Sequence, residues 1–377
     1  MNQVPPPPAR RPLTPEERAR RRAAYQRRRR AQQLRLLLAA AAFLVLLFII
    51  LIAARACRRA APAAAEPLPG ETETEVLRAP VTTAAESEPA PAEPTRPAAV
   101  RCTATDTTVT LGDEIASRCA VLVSLSDHTI VAEKHADEVI YPASITKVMS
   151  LIVACERIAD PDETFTVTAA IIDPLYRQNA SMAGFAPGET VTVRELLYGM
   201  VLPSGAEAAA SLAICAAGSE EAFVGLMNEK AAEMGLTHTH FTNCVGLHDD
   251  AHTSTCVELA MILEYALADP TCREILSTYQ HTTAPTAQHP EGILLTSTMF
   301  SRMVGDEPEG ATILAGKTGY TTEARQCLAS YAERDADGAP FLFVSVDAPG
   351  KFDPVFDAIR VYSDYTAAVS PSQIWLP

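Results

Sequence analysis

The sequence predicts an α/β domain of about 260 residues, an antiparallel sheet of about five strands flanked by helices with a mainly helical subregion, behind a single transmembrane helix. Three observations carry this. Short β-rich runs stand at both ends of the region 105–370, helical periodicity fills its middle, and an uncharged apolar stretch precedes it all.

That stretch is Leu36 to Ala54, 19 residues without a charge. At 1.5 Å per residue it makes roughly 28 Å of helix, close to the hydrocarbon thickness of a bilayer. From Met1 to Arg59 there are 14 Arg against Glu16 and Glu17, a formal +12, so the whole-chain value of -15 leaves -27 for the remainder. Eleven of the Arg precede the stretch and three (Arg55, Arg58 and Arg59) follow it. The positive-inside bias therefore predicts a basic cytoplasmic tail over 1–35, a bilayer span over 36–54, and an extracytoplasmic remainder in a bacterial membrane. The long polar lead favours an uncleaved anchor over a signal peptide. Residues 55–104 are rich in Pro, Ala and Glu, cannot build a core, and read as a stalk; the folded domain is expected over 105–370.

The acidic remainder lacks the clustered Lys and Arg that neutralise phosphates, which excludes nucleic acid as a partner. Eight of the nine Cys lie beyond the apolar stretch. An external location permits disulfides, and Cys244 with Cys256, in a polar turn-rich stretch, is the pair best suited to one. Cys155 and Cys215 read as small buried hydrophobes. No close Cys/His grouping of the structural-zinc kind appears, so no metal is expected.

Order is expected from near Val109. CAVLVSL (Cys119 to Leu125) and HTIVAEK (His128 to Lys134) read as a hairpin. A helix follows from Ala143 to Ile158, stopped by Asp160-Pro161. Val193 to about Met200 is helical, Pro203-Ser204-Gly205 is a break, and an Ala-rich helix runs to Ala217. Further helices are predicted over Glu220 to Met234, closed by Gly235, and Thr255 to Leu267. TILAGKTGYT, QCLASYAER and APFLFVSVDAP read as three strands, and Pro354 to Val369 as a last helix. Little chain follows, so no further domain is expected.

Three short elements bear chemistry. Ser144 and Lys147, three apart, share one face of a helix, where a lysine with lowered proton affinity can activate the hydroxyl as a nucleophile. In Lys317-Thr318-Gly319 a cation and a hydroxyl can hold a substrate carboxylate, while Gly319 clears space along a strand. Ser204, at the break between two helices, can relay a proton to a leaving amine.

Taken together and in this order, PASITKVMS, LPSGAEAA and AGKTGYT resemble the active-site signatures of the low-molecular-mass penicillin-binding proteins, the serine-type D-alanyl-D-alanine carboxypeptidases of peptidase family S11. The likeness runs from about Cys119 to Thr366. It includes Phe241 to Ala260, which resembles the family's Asn-x-x-Gly-Leu, His, Ser-Thr and acidic-Leu-Ala pattern. The resemblance implies a β-lactamase/transpeptidase-like fold and no cofactor. It makes Ser144 the acylated nucleophile, Lys147 its base and Ser204 the relay, with Lys317, Thr318, Gly319 and Tyr320 binding substrate. The backbone N–H groups of Ser144 and Tyr320 resemble the pair that stabilises the oxyanion. Expected partners are peptidoglycan stem peptides, β-lactams as covalent inhibitors, and the bilayer. The implied reaction removes the terminal D-alanine. A D,D-endopeptidase or a low-turnover penicillin-binding sensor are the alternatives.

Two positions depart from the family pattern. Ser204-Gly205-Ala206 stands where Ser-x-Asn is usual, and Ala206 cannot donate to substrate. Ala324-Arg325 replaces a common Ala-Gly pair, with Arg325 read as an outward-facing side chain. Glu207 reads as a helix-start carboxylate favoured by the helix dipole.

Overall fold

The computed structural model describes residues 100–366 apart from residue 304. The tail 1–35, the apolar stretch 36–54, the stalk up to 99 and the end of the expected last helix lie outside the described residues. Among the described residues no single helix is long and apolar enough to cross a membrane.

In chain order the strands are β1 (Thr103–Thr110), β2 (Cys119–Ser124), β3 (Thr129–Lys134), β4 (Thr164–Thr166), β5 (Thr190–Thr192), β6 (Gln280–Thr282), β7 (Leu294–Thr296), β8 (Ala311–Thr321), β9 (Arg325–Arg334) and β10 (Pro340–Ala348). The helices are α1 (Thr146–Arg157), α2 (Ala169–Arg177), α3 (Val193–Val201), α4 (Ala206–Ala217), α5 (Glu220–Glu233), α6 (Cys256–Ala268), α7 (Pro270–Ser277), α8 (Thr298–Arg302) and α9 (Asp353–Tyr365). A 3-10 turn, Ala143–Ile145, leads into α1.

The main sheet has the order β1-β3-β2-β10-β9-β8. The expected hairpin β2/β3 and the three C-terminal strands all pair antiparallel. β1 is a correction to the expected five antiparallel strands, because it adds a sixth that runs parallel to β3. Its sequence, TATDTTVT, is polar and largely exposed, so it carries no apolar alternation to mark it.

β2 is buried at every position because the sheet is covered on both faces. Cys119, Val121 and Val123 enter one core with α1, α4 and α6, whereas Ala120 and Leu122 enter a second core under α9. A strand covered twice reads as an unbroken apolar run. On the α9 side, the Asp357 carboxylate accepts from the Ala116 and Ser117 N–H groups and the Ser117 hydroxyl, fixing helix to loop.

The helical subregion follows local signals. Thr192 and Glu195 form a reciprocal capping box at the start of α3. Gly218 and Gly235 take positive φ just after α4 and α5. α4 buries Ala206, Ala208, Ala209 and Ala213, side chains small enough to let it pack closely on α1 and α3. The last helix ends at Tyr365, four residues before the expected Val369. All eight described Cys are free, Cys244 and Cys256 among them. Both thiols are separately buried, and Cys244 Sγ donates to Glu220 Oε1 at 3.3 Å.

Candidate active site

Ser144 lies on the 3-10 turn and Lys147 in the first turn of α1, so the pair straddles a change of helix type. Lys147 is 2% exposed, and its Nζ donates to Ser144 Oγ at 3.1 Å and to the Val245 carbonyl at 2.6 Å. Burial pushes the Lys147 ammonium down to about 8, against the smaller opposing effects of Cys244 and Glu207. The turn is clamped between two glycines. A Cβ on Gly246, at φ +79°, would overlap the Ala143 carbonyl, and one on Gly319 would sit 3.1 Å from both Ala143 Cβ and Ser144 N. Gly319 thus clears space for the serine turn itself, in addition to any ligand.

The Val245 carbonyl is aimed by Asn243, whose Oδ1 accepts from the N–H groups of Val245, Gly246 and Leu247 at 3.2, 2.7 and 3.1 Å. His252 fixes the same region. The Thr242 N–H donates to its Nδ1 at 3.1 Å, so the proton resides on Nε2, 2.7 Å from Thr146 Oγ1. Burial pushes His252 down to about 4, which keeps the ring neutral near pH 7. The stretch from Phe241 thereby supports the serine turn rather than lining a reaction centre, apart from Val245, Gly246 and Leu247.

Lys317 is 1% exposed on β8 and donates from Nζ to Ser204 Oγ and to the Thr318 carbonyl, both at 2.9 Å. Burial holds it well below the usual lysine range, and the charges of Lys147 and Arg302 act in the same direction. Ser204 reaches it from a left-handed backbone at φ +69°, a conformation that costs a non-glycine residue about 1 kcal/mol. Ser144, Lys147, Ser204, Thr318, Gly319 and Tyr320 line one cleft, roughly 620 Å³ including space open to solvent. Lys317 does not line it and stands behind Ser204.

Sequence reasoning missed the cleft residues Thr298 and Arg302, both on α8. Thr298 Oγ1 lies 2.6 Å from Thr318 Oγ1. Arg302 Nη1 donates to Gln326 Oε1 at 3.3 Å and to the Lys351 carbonyl at 3.1 Å, both uncharged, and among the described residues Arg302 has no ion pair. Five residues of helix between turns offer no periodicity to read.

Glu207 does more than favour a helix start. It is fully buried, and its Oε1 accepts from the N–H groups of Ala183, Gly184 and Phe185 at 2.7, 2.8 and 3.3 Å. Burial raises its pKa and these donors oppose the rise. Arg325 takes φ +55°, where glycine is at ease, and its exposed side chain meets Asp347 at 3.2 Å. Asp269 and Cys272, three apart at the start of α7, and the sequence-distant Cys155 bring ligand atoms within 4.8 Å of one another, and none lines the cleft.

A hydroxyl held by a desolvated amine, a second hydroxyl held by a second desolvated amine, and a wall carrying Arg302 suit acyl transfer on a substrate with a negative end. Comparison with known proteins agrees with this chemistry. The profile of peptidase family S11, D-alanyl-D-alanine carboxypeptidase, matches residues 104–349. The chain is 28% identical over 218 residues to D-alanyl-D-alanine carboxypeptidase DacF of Bacillus subtilis, covering 58% of this chain and 54% of that one. It therefore spans about half the length of that relative. It is 30% identical over 280 residues to a D-alanyl-D-alanine endopeptidase of Escherichia coli, covering 72% and 83%. The crystal structure of the Streptomyces K15 DD-transpeptidase superposes with a TM-score of 0.59 at 29% identity, covering 66% of this chain and 97% of that one. The chain belongs to the peptidase S11 family of D-alanyl-D-alanine carboxypeptidases.

Proposed function

We propose that this protein is a serine D,D-carboxypeptidase that removes the terminal D-alanine from peptidoglycan stem peptides. The observation that carries the reading is the 3.1 Å contact between Ser144 Oγ and the desolvated Lys147 Nζ. Neutral Lys147 takes the Ser144 proton as Oγ attacks the carbonyl between the last two D-alanines. The N–H groups of Ser144 and Tyr320 stabilise the oxyanion. As the C–N bond breaks, the Ser204 hydroxyl, hydrogen-bonded to Lys317, passes a proton to the leaving amine. Ser204 is refilled by the proton that Lys147 took from Ser144, which leaves Lys147 neutral again; water then attacks the ester, Lys147 accepts the water's proton, and it passes that proton to Ser144 Oγ as the acyl–oxygen bond breaks.

Arg302, Thr298 and Thr318 supply charge and hydroxyls for the free carboxylate of the peptide. Lys317 holds Ser204 in this scheme and keeps one of its three donors for the carboxylate. A β-lactam acylates Ser144 in the same way, but its amine stays tethered, so the adduct clears slowly. The endopeptidase relative in Escherichia coli favours a second reading, cleavage of cross-linked peptides.

We also propose that Leu36–Ala54 crosses the membrane with the catalytic domain outside. The uncharged run and the excess of Arg before it support this. Full-length protein in detergent, given pentapeptide or cross-linked dimer, should release free D-alanine from the first and leave the second mainly intact. Ser144→Ala should release none and form no penicillin adduct by intact mass. Faster cleavage of the dimer would establish the endopeptidase reading instead, and an adduct on Ser144→Ala would overturn both.

A further inference from the structure

The cleft lacks a side-chain amide at position 206, where Ala206 follows the Ser204 turn. Among the described residues that line the cleft only Asn179, an exposed residue at its rim, carries a side-chain amide. Asn179 follows α2 as its left-handed cap, at φ +54°, and the Ala180 N–H closes the cap on the Leu175 carbonyl at 3.1 Å. Among the described residues its side chain has no hydrogen-bond partner.

The segment that carries it is fixed beside residue 206. The Ala206 N–H donates to the Ser181 carbonyl at 2.7 Å, and beyond Met182 Glu207 collects the N–H groups of Ala183, Gly184 and Phe185. A Cβ on Gly205 would stand 2.6 Å from Ala183 Cβ, so loop and turn are in tight register. β8 is the edge strand of the sheet and forms the facing wall. An extended peptide laid along β8 directs alternate carbonyls away from that strand, toward the 179–181 wall.

We infer that Asn179 is a substrate-binding donor, its amide hydrogen-bonding a backbone carbonyl of the peptide on the acyl side of the scissile bond, in the place of an amide at 206. The inference rests on the carboxypeptidase reading for its substrate, and Glu207 acts here as a positioning residue.

Asn179→Gly removes the amide but suits the left-handed cap, and Asn179→Asp keeps the shape while removing both donors. Each is made in full-length Ser144→Ala protein, with and without Ala206→Asn, and titrated with a diacylated tripeptide ending in D-alanyl-D-alanine. Both Asn179 variants should bind about tenfold more weakly with Ala206 present, the loss of one hydrogen bond to ligand. The loss should shrink to about twofold when Asn stands at 206. Unchanged affinity, or the same loss in both backgrounds, overturns the inference. Penicillin acylation of the protein with Ser144 intact is measured in parallel. Its absence would sink the carboxypeptidase reading, while the peptide affinities still decide the role of Asn179.

Discussion

Replacing Lys147 by Met keeps most of the side-chain volume and deletes an ammonium that the fold holds at 2% exposure. Burial takes this lysine from 10.5 to about 8. The gap corresponds to about 3 kcal/mol of destabilisation at pH 7, where the native state must carry a buried charge. Between pH 8 and 10.5 the unfolded chain binds more protons at this site than the native one. Native stability therefore rises with pH through that window, and the penalty of the charge disappears as the lysine loses its proton.

The absolute effect of the substitution mixes this gain with the Val245 carbonyl left without its donor, a cost of about 1 to 3 kcal/mol. Those terms do not vary with pH, so the useful quantity is the change with pH of the difference between the two proteins. Urea denaturation at pH 7 and pH 10 should show Lys147→Met losing about 2.5 kcal/mol of stability relative to the parent between the two pH values. The variant should also fail to form a penicillin adduct at either pH. A difference that stays flat between pH 7 and 10 would refute the claim that Lys147 is held ready as a base by desolvation.

His252 should produce the mirror case on the acid side. Its native value of about 4 lies below the ordinary 6.5, so stability is lost as pH falls between those values, by about 3 kcal/mol in all. His252→Gln should lack that part of the acid loss in denaturant titrations from pH 7 to 4, and an unaltered profile would count against a neutral buried ring. Glu207→Ala leaves three N–H groups without their acceptor and should cost about 2 to 4 kcal/mol in urea. A cost under about 1 kcal/mol would show that the 183–185 loop does not depend on it. Arg325→Gly relieves a left-handed arginine at the expense of an exposed ion pair, so stability should stay level or rise by about 0.5 kcal/mol. A fall of more than about 1 kcal/mol would mean that the bridge to Asp347 outweighs the backbone strain.

What the sequence made legible depended on local repetition. β2 and the first half of β10 are near-continuous apolar runs because both sheet faces are covered, and α3, α5 and α6 carry side-chain caps that act within a few residues. Ser144, Ser204 and Thr318 could be found because their short motifs lie at the start of α1, in the break between α3 and α4, and within β8. β1, polar and at an edge, had no pattern to betray it. Arg302, on a five-residue helix, had none either, and the roles of Glu207 and Asn243, whose positions the sequence marked, arise from loops and helices that meet only after folding.

Lys317 shows the limit most clearly. Residue type and spacing identify it as part of the site, but they say nothing about which way the side chain turns once β8 is laid beside the Ser204 turn. With Nζ given to Ser204 Oγ and the Thr318 carbonyl, two of its three donors are already engaged inside the protein. A buried amine so occupied is suited to moving or holding a proton on its hydroxyl partner. The permanent charge of a guanidinium, carried in the cleft lining by Arg302, is better suited to meeting the charge of an arriving carboxylate.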